Sequence, residues 1–116
     1  MPISKQTPAQ VFVDDFLGRL HQAIFEERFT FAEVRGDKKN SDTMYLLQYT
    51  YDDVINEVLS LSYSMFDHGP FSDEKVPPRG DCWQFKKIIQ GYLIYIKIMK
   101  LYDDDYYVIL SFHVDE

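Results

Sequence analysis

Gln84, Lys86, Tyr95, Lys97, Ser111 and His113 are residues whose types and spacing suit proton transfer and the stabilisation of an anion. An imidazole titrates near neutrality and can give or take a proton. An ammonium group, with amide and hydroxyl donors around it, stabilises negative charge as it develops. The six come in pairs two apart: Gln84 with Lys86, Tyr95 with Lys97, Ser111 with His113. Side chains two apart on a strand share a face, so three adjacent strands would gather all six on one side of a sheet.

Those strands are predicted at residues 82–89, 92–102 and 106–114. From Asp81 onward, apolar residues tend to fall at every second position and are largely β-branched or aromatic. Trp83 and Phe85 share a face with Ile89; Ile94, Ile96 and Ile98 form a second such row, and Val108, Leu110, Phe112 and Val114 a third. With Gln90-Gly91 as a two-residue hairpin turn, Ile89 faces Tyr92, Phe85 pairs with Ile96, Gln84 with Lys97 and Lys86 with Tyr95. A three-residue turn at 103–105 pairs Lys97 with Ser111 and Tyr95 with His113. Core residues then meet core residues throughout, as register demands. One face is expected to be apolar and helix-covered, the other open. An open face is polar in any sheet. Thr, Glu and Lys would be ordinary there, whereas Tyr, His, Lys and Gln together carry catalytic capacity.

The elements that must support this sheet precede it. Residues 7–23 predict a helix, with Pro8 in its first turn and Phe12, Phe16, Leu20 and Ile24 four apart. Asp14, Asp15, Arg19 and Gln22 are left for water. A short strand is expected at 28–34 around Phe29 and Phe31, then a polar loop at 36–41. A helix at 42–48 is expected behind a Ser41 or Asp42 cap, and another after Thr50 with Asp52 and Asp53 in its first turn. Val54, Ile55, Val58, Leu59 and Leu61 supply the buried side of the latter. Gly69-Pro70 is expected to stop regular structure, and 72–80 to be a loop. Helices first and a meander last give an α+β fold, one domain over residues 1–116, with N-terminal helices packed on one face of a C-terminal antiparallel sheet.

The totals agree with a packed chain. Among 116 residues, nine Phe and nine Tyr and a hydrophobic share of 46% are too much for disorder. No apolar run reaches transmembrane length and no leader pattern opens the chain, so a soluble, unprocessed protein without a membrane partner is expected. The single cysteine, Cys82, cannot form an internal disulfide, which suits a reducing cytoplasm. The net charge of −7 opposes nucleic-acid binding, which usually needs basic patches. Other chemistry-bearing residues have plain readings: His21 at a helix surface, Trp83 in the core, Tyr106 and Tyr107 in strand packing, Cys82 structural, and Asp103-Asp104-Asp105 a solvated turn rather than a metal site.

An ordered series of motifs resembles the MqsR-family toxins. It runs through Arg35-x-x-Lys38-x-Asn40, Asp53-Val54, Glu57, Leu59-Ser60-Leu61-Ser62, Phe66 and Gly69-Pro70. It continues with Gly80-Asp81-x-Trp83-x-Phe85, Gly91, Ile94-Tyr95-Ile96-Lys97-Ile98 and Ser111-Phe112-His113. The resemblance implies the RelE-like fold, small and α+β with a curved antiparallel sheet. It implies the toxin half of a type II toxin–antitoxin system, an endoribonuclease (mRNA interferase) that cleaves mRNA, free or on the ribosome, without metal or cofactor. The partners it implies are RNA and a cognate antitoxin protein, not DNA by itself. Carried over position by position, the family's active residues fall on His68, Gln84, Tyr95 and His113, with Lys97 one strand step beyond Tyr95. In the best-known branch lysines stand where this chain has His68 and His113.

Metal-free RNA cleavage uses the 2′-hydroxyl as nucleophile, with a base, a cation and an acid around the phosphate. On this reading His113 and His68 form the acid–base pair, Lys97 clamps the phosphate, and Tyr95 and Gln84 orient it. Arg79, Lys86, Lys87 and Ser111 hold flanking parts of the substrate. Two alternatives stand beside it: a non-catalytic relative acting as a protein-binding module, and an acidic mimic of nucleic acid. The mimic ranks last, because the carboxylates sit in turns and helix starts rather than along one face.

Overall fold

The computed structural model describes residues 6–32 and 38–114. The continuation of the first expected strand to Val34, the Gly36-Asp37 break and Arg35 of the motif series lie outside the described residues.

Helix α1 (Pro8–Phe25) opens on a reciprocal cap. The Gln10 amide donates to the Thr7 hydroxyl oxygen at 3.2 Å, and the Thr7 amide to the Gln10 side chain at 2.9 Å. Its buried side is Val13, Phe16, Leu17, Leu20, Ala23 and Ile24. Phe12, expected in that stripe, is 54% exposed because steps of three and four centre the stripe one residue later.

After β1 (Phe29–Phe31) comes α2 (Lys39–Leu47), which starts earlier than the expected loop and cap allowed. No side chain caps it; Lys38 takes a left-handed conformation at its start, φ 60°. The helix is fixed instead by tertiary bonds from its first turn. The fully buried Asn40 donates to the carbonyls of Ala32 (2.6 Å) and Leu110 (2.9 Å), and its oxygen accepts the Phe112 amide at 2.9 Å. Helix α3 (Tyr51–Leu59) has the expected Thr50 cap, reciprocated by Asp53, and buries Val54, Ile55 and Val58.

A turn of 3-10 helix at Tyr63–Met65 leads into β2 (Phe66–Ser72). Regular structure does not stop at Gly69-Pro70, contrary to expectation: the strand continues through two register shifts, one on each side of His68. Gly69, at φ 138°, passes so close to the next strand that a Cβ would lie 2.8 Å from the Cys82 carbonyl oxygen.

The remaining strands are β3 (Gly80–Ile89), β4 (Tyr92–Leu101) and β5 (Tyr107–Val114). Gln90 and Gly91 both have positive φ, 53° and 84°, the conformation of a two-residue hairpin turn. Ile89 faces Tyr92, Phe85 faces Ile96, Gln84 faces Lys97 and Lys86 faces Tyr95, as expected.

The second hairpin reaches its expected pairs by another route. Lys100 pairs with Tyr107, and the Leu101 amide donates to the Tyr106 carbonyl at 3.1 Å, so the turn is one residue longer than the three at 103–105. A shift between the Lys97–Ser111 and Ile98–Ile109 pairs then leaves Leu110 as an extra residue. Lys97 opposite Ser111 and Tyr95 opposite His113 are thereby restored. The bulge also corrects the face assignment. Tyr107 and Ile109 join Phe112 beneath the helices, while Val108 and Leu110 turn to the other face beside Cys82 and Met99.

The sheet order is β1-β5-β4-β3-β2, with β1 parallel to β5 and the other pairs antiparallel, so the fold is α+β with a mixed sheet. The main core lies between helices and sheet, with Phe16 stacked on Trp83 at 4.2 Å between ring centroids. Where β1 ends, α2 takes over the outer edge of β5, Asn40 serving Leu110 and Phe112 and the Thr43 hydroxyl oxygen accepting the Val114 amide at 3.1 Å. Among the described residues no helix is long and apolar enough to cross a membrane.

Candidate active site

Two cross-strand rows organise the face turned away from the helices. The first runs His68, Gln84, Lys97, Ser111 over β2 to β5; the second runs Lys86, Tyr95, His113 over β3 to β5. Adjacent strands stand about 4.8 Å apart, so neighbours within a row are in side-chain reach.

At the β2 end, the register shift leaves Asp67 and His68 together opposite Gln84. His68 Nδ1 lies 2.8 Å from Asp67 Oδ2. A carboxylate can only accept, so this bond places the Nδ1 proton on His68 and leaves Nε2 as the atom that exchanges protons. The Gln84 amide nitrogen sits 3.4 Å from the same carboxylate oxygen and 3.2 Å from His68 Nδ1. The amide oxygen of Gln84 accepts the hydroxyl of Tyr95. Gln84 is only 7% exposed, so its hydrogen bonds on both sides hold it as a fixed link between Asp67 and Tyr95. The Asp67 carboxyl is held below the usual aspartate range, first by the His68 hydrogen bond, with the Lys86 charge and the Gln84 amide adding to it against partial burial.

At the β5 end, the ring of His113 stacks on Tyr95 at 5.2 Å and 20°. Its Nδ1 lies 3.1 Å from the Val114 carbonyl oxygen, an acceptor only, so here too Nε2 is the nitrogen left to exchange a proton. Between the two imidazoles stands β4, presenting Tyr95 and the half-buried Lys97; Lys97 makes no ion pair among the described residues. Three strand steps across the sheet and two residues along it separate the backbones of His68 and His113, roughly 16 Å. Both rings lean inward, His68 toward Gln84 and His113 over Tyr95.

The face is not uniformly wet. Cys82, Met99 and Leu110 are buried there with Phe71 and Val108 against them, and the ring of Phe71 stacks on His68 at 4.9 Å. This patch borders the site and lowers the dielectric on one side of it, which strengthens charge interactions nearby. Burial in it raises the Cys82 thiol pKa, in keeping with a structural cysteine.

The expected set is therefore brought together in part. His68, Gln84, Lys86, Tyr95, Lys97, Ser111 and His113 share the face, with Ser111 only 2% exposed and so part of its floor. Lys87 does not. It points to the helix side, where Nζ donates to Glu57 at 2.8 Å and to the Ser60 hydroxyl at 2.7 Å. Arg79 closes the 73–79 loop through Asp73 at 2.8 Å rather than reaching into the rows. Sequence reasoning missed Asp67, because strict alternation sends it to the face opposite His68; only a bulge lets consecutive residues share a site.

Among the described residues no three His, Cys, Asp or Glu side chains converge as a metal site. In the 102–105 turn, Asp105 pairs with Arg28 at 3.0 Å and the Asp104 carbonyl accepts from Lys100. Comparison of the chain with protein-family models, with curated proteins and with solved structures gives no match.

Proposed function

We propose that this face is the active surface of a metal-independent endoribonuclease, the toxin of a type II toxin–antitoxin pair acting on mRNA in the cytoplasm. The observation that carries the reading is the linked set on one open sheet face: the Asp67 carboxylate accepting from both His68 and Gln84, Gln84 accepting from Tyr95, His113 stacked on Tyr95, and Lys97 beside them. Helices on one face and four antiparallel strands presenting the other support the RelE-like reading of the fold.

The scissile phosphate sits over β4, on Tyr95 and Lys97, with an imidazole on either side. His68, oriented by Asp67, takes the proton of the 2′-hydroxyl as that oxygen attacks the adjacent phosphorus. Lys97 balances the charge that grows on the phosphoryl oxygens. The bond to the 5′-oxygen breaks and His113 Nε2 delivers its proton there, leaving a 2′,3′-cyclic phosphate. A strand without 2′-hydroxyls has no nucleophile, so DNA is not cut.

One observation favours a second reading: a net charge of −7 suits a domain that binds a basic protein partner without chemistry. Induced expression in a bacterial host separates the two. Growth arrest with new RNA 5′ ends, both lost in His113→Ala, is the expected result. Normal growth and intact RNA from folded protein would leave the binding module standing.

A further inference from the structure

The second row does not end at the sheet. Beyond β5 lies a recess of about 170 Å³ between the strand and α2, lined by Lys39, Asp42, Thr43, Leu46, His113 and Val114. His113 belongs to both the row and the recess. One face of its ring is covered by Tyr95, and the residue is also part of the recess lining. Thr43 is held by the Val114 amide and fixes the back wall. Lys39 and Asp42 are exposed and three apart on α2, hence neighbours on one helix face, and Leu46 adds an apolar side chain one turn further, 45% exposed. The recess thus offers a cation, a carboxylate, an apolar wall and the edge of an aromatic stack, all continuous with the row that ends at His113.

We propose that this recess is the subsite for a nucleotide flanking the cleaved phosphate, and that it selects bases carrying an exocyclic amino group. The inference rests on the ribonuclease reading and extends it to specificity. Lys39 holds the phosphate of that nucleotide as a point charge. The base lies against Leu46 and His113, since a base face stacks on an apolar or aromatic surface whatever its sequence. Asp42, an acceptor only, takes a hydrogen bond from the base amino group, as acidic side chains do with cytosine N4. Uracil lacks that amino group and presents carbonyl oxygens to the carboxylate, so it is disfavoured.

The test is equilibrium binding of fluorescein-labelled 2′-O-methyl RNA octamers, which cannot be cleaved, read by anisotropy over a salt series. The octamers differ by cytidine or uridine at one position. Wild type, Lys39→Ala, Asp42→Asn and the surface control Lys75→Ala are compared, each checked for folding by circular dichroism. Wild type should prefer cytidine at one position by about fivefold or more. Lys39→Ala should weaken every octamer by about tenfold and lower the salt slope by about one, while Lys75→Ala does neither. Asp42→Asn should bring the two octamers to equal affinity. Wild-type binding with neither variant changing slope or preference overturns the subsite and leaves the nuclease reading intact. No wild-type binding to any octamer overturns both.

Discussion

Asp67 and His68, consecutive in the chain, both lie opposite Gln84, and the carboxylate and imidazole meet at 2.8 Å. Neighbouring residues of a regular strand point to opposite faces. The register shift at the start of β2 is what turns an ordinary dipeptide into a hydrogen-bonded carboxylate–imidazole pair, on the same face as Tyr95, Lys97 and His113.

Cleavage should depend on that unit in graded fashion. His68→Ala and His113→Ala are each expected to slow cleavage of an RNA oligonucleotide by roughly 10²–10⁴-fold. Asp67→Asn keeps the shape but loses the oriented tautomer, and should cost roughly 10–100-fold. Carbon-detected NMR gives a second readout: the Asp67 carboxyl should titrate below the usual aspartate range and move up in His68→Ala. Because the folded value is depressed, this contact stabilises the fold fully above the ordinary carboxylate range and is lost as pH falls below it. An Asp67 that titrates normally in wild type would refute the pairing.

The adjacent lysines should part company. Lys86 lies on the face turned away from the helices and bears on the Asp67 charge, so on the proposed function Lys86→Ala should weaken RNA binding and reduce its salt dependence. Lys87 is tied to Glu57 with side-chain exposures of 11% and 20%, so Lys87→Ala should lower stability by roughly 1–2 kcal/mol and leave RNA affinity unchanged. Urea unfolding and anisotropy on the two variants check this directly.

Tyr49 should titrate late. The Tyr49 hydroxyl donates to Glu57 at 2.5 Å, and that hydrogen bond, then burial and the Glu57 charge, push its pKa up to about 12. A raised folded value means that the contribution is complete below the ordinary tyrosine value and lost as pH rises through about 12. Ultraviolet difference titration should show this phase, and Glu57→Gln should move it down into the main tyrosine transition.

Asn40 should be among the most sensitive polar positions. Its side chain serves two carbonyls and one amide that no strand covers, and it is fully buried. Asn40→Ala leaves those groups unpaired and is expected to cost roughly 2–4 kcal/mol by chemical denaturation. Asn40→Asp keeps the acceptor for Phe112 but loses both donations, and should also destabilise. Hydrogen exchange at the Phe112 amide should accelerate in Asn40→Ala; an unchanged rate would contradict the edge-closing role.

What the sequence determined is what short-range rules govern. Pro8 in a first helical turn, the Thr50 cap, the Gln90-Gly91 turn and the period-two pattern depend on a few adjacent residues, and together they place α1, α3 and the β3–β4 register. By themselves they also put Gln84, Lys86, Tyr95 and Lys97 on one face. Tertiary structure decided the rest. Strand β2 forms only because β3 pairs with it across two shifts that no local pattern encodes, and those shifts bring Asp67 and His68 to Gln84. In β5 a longer turn and the Leu110 bulge offset each other, so His113 arrives opposite Tyr95 although neither irregularity is visible in the alternation. Lys87 faces away from Lys86 as alternation requires, but its Glu57 partner lies thirty residues earlier on α3. Asn40 begins a helix because the open edge of β5 needs donors and an acceptor there. Each of these is a pairing between distant segments, settled by which backbone groups would otherwise be buried without a partner.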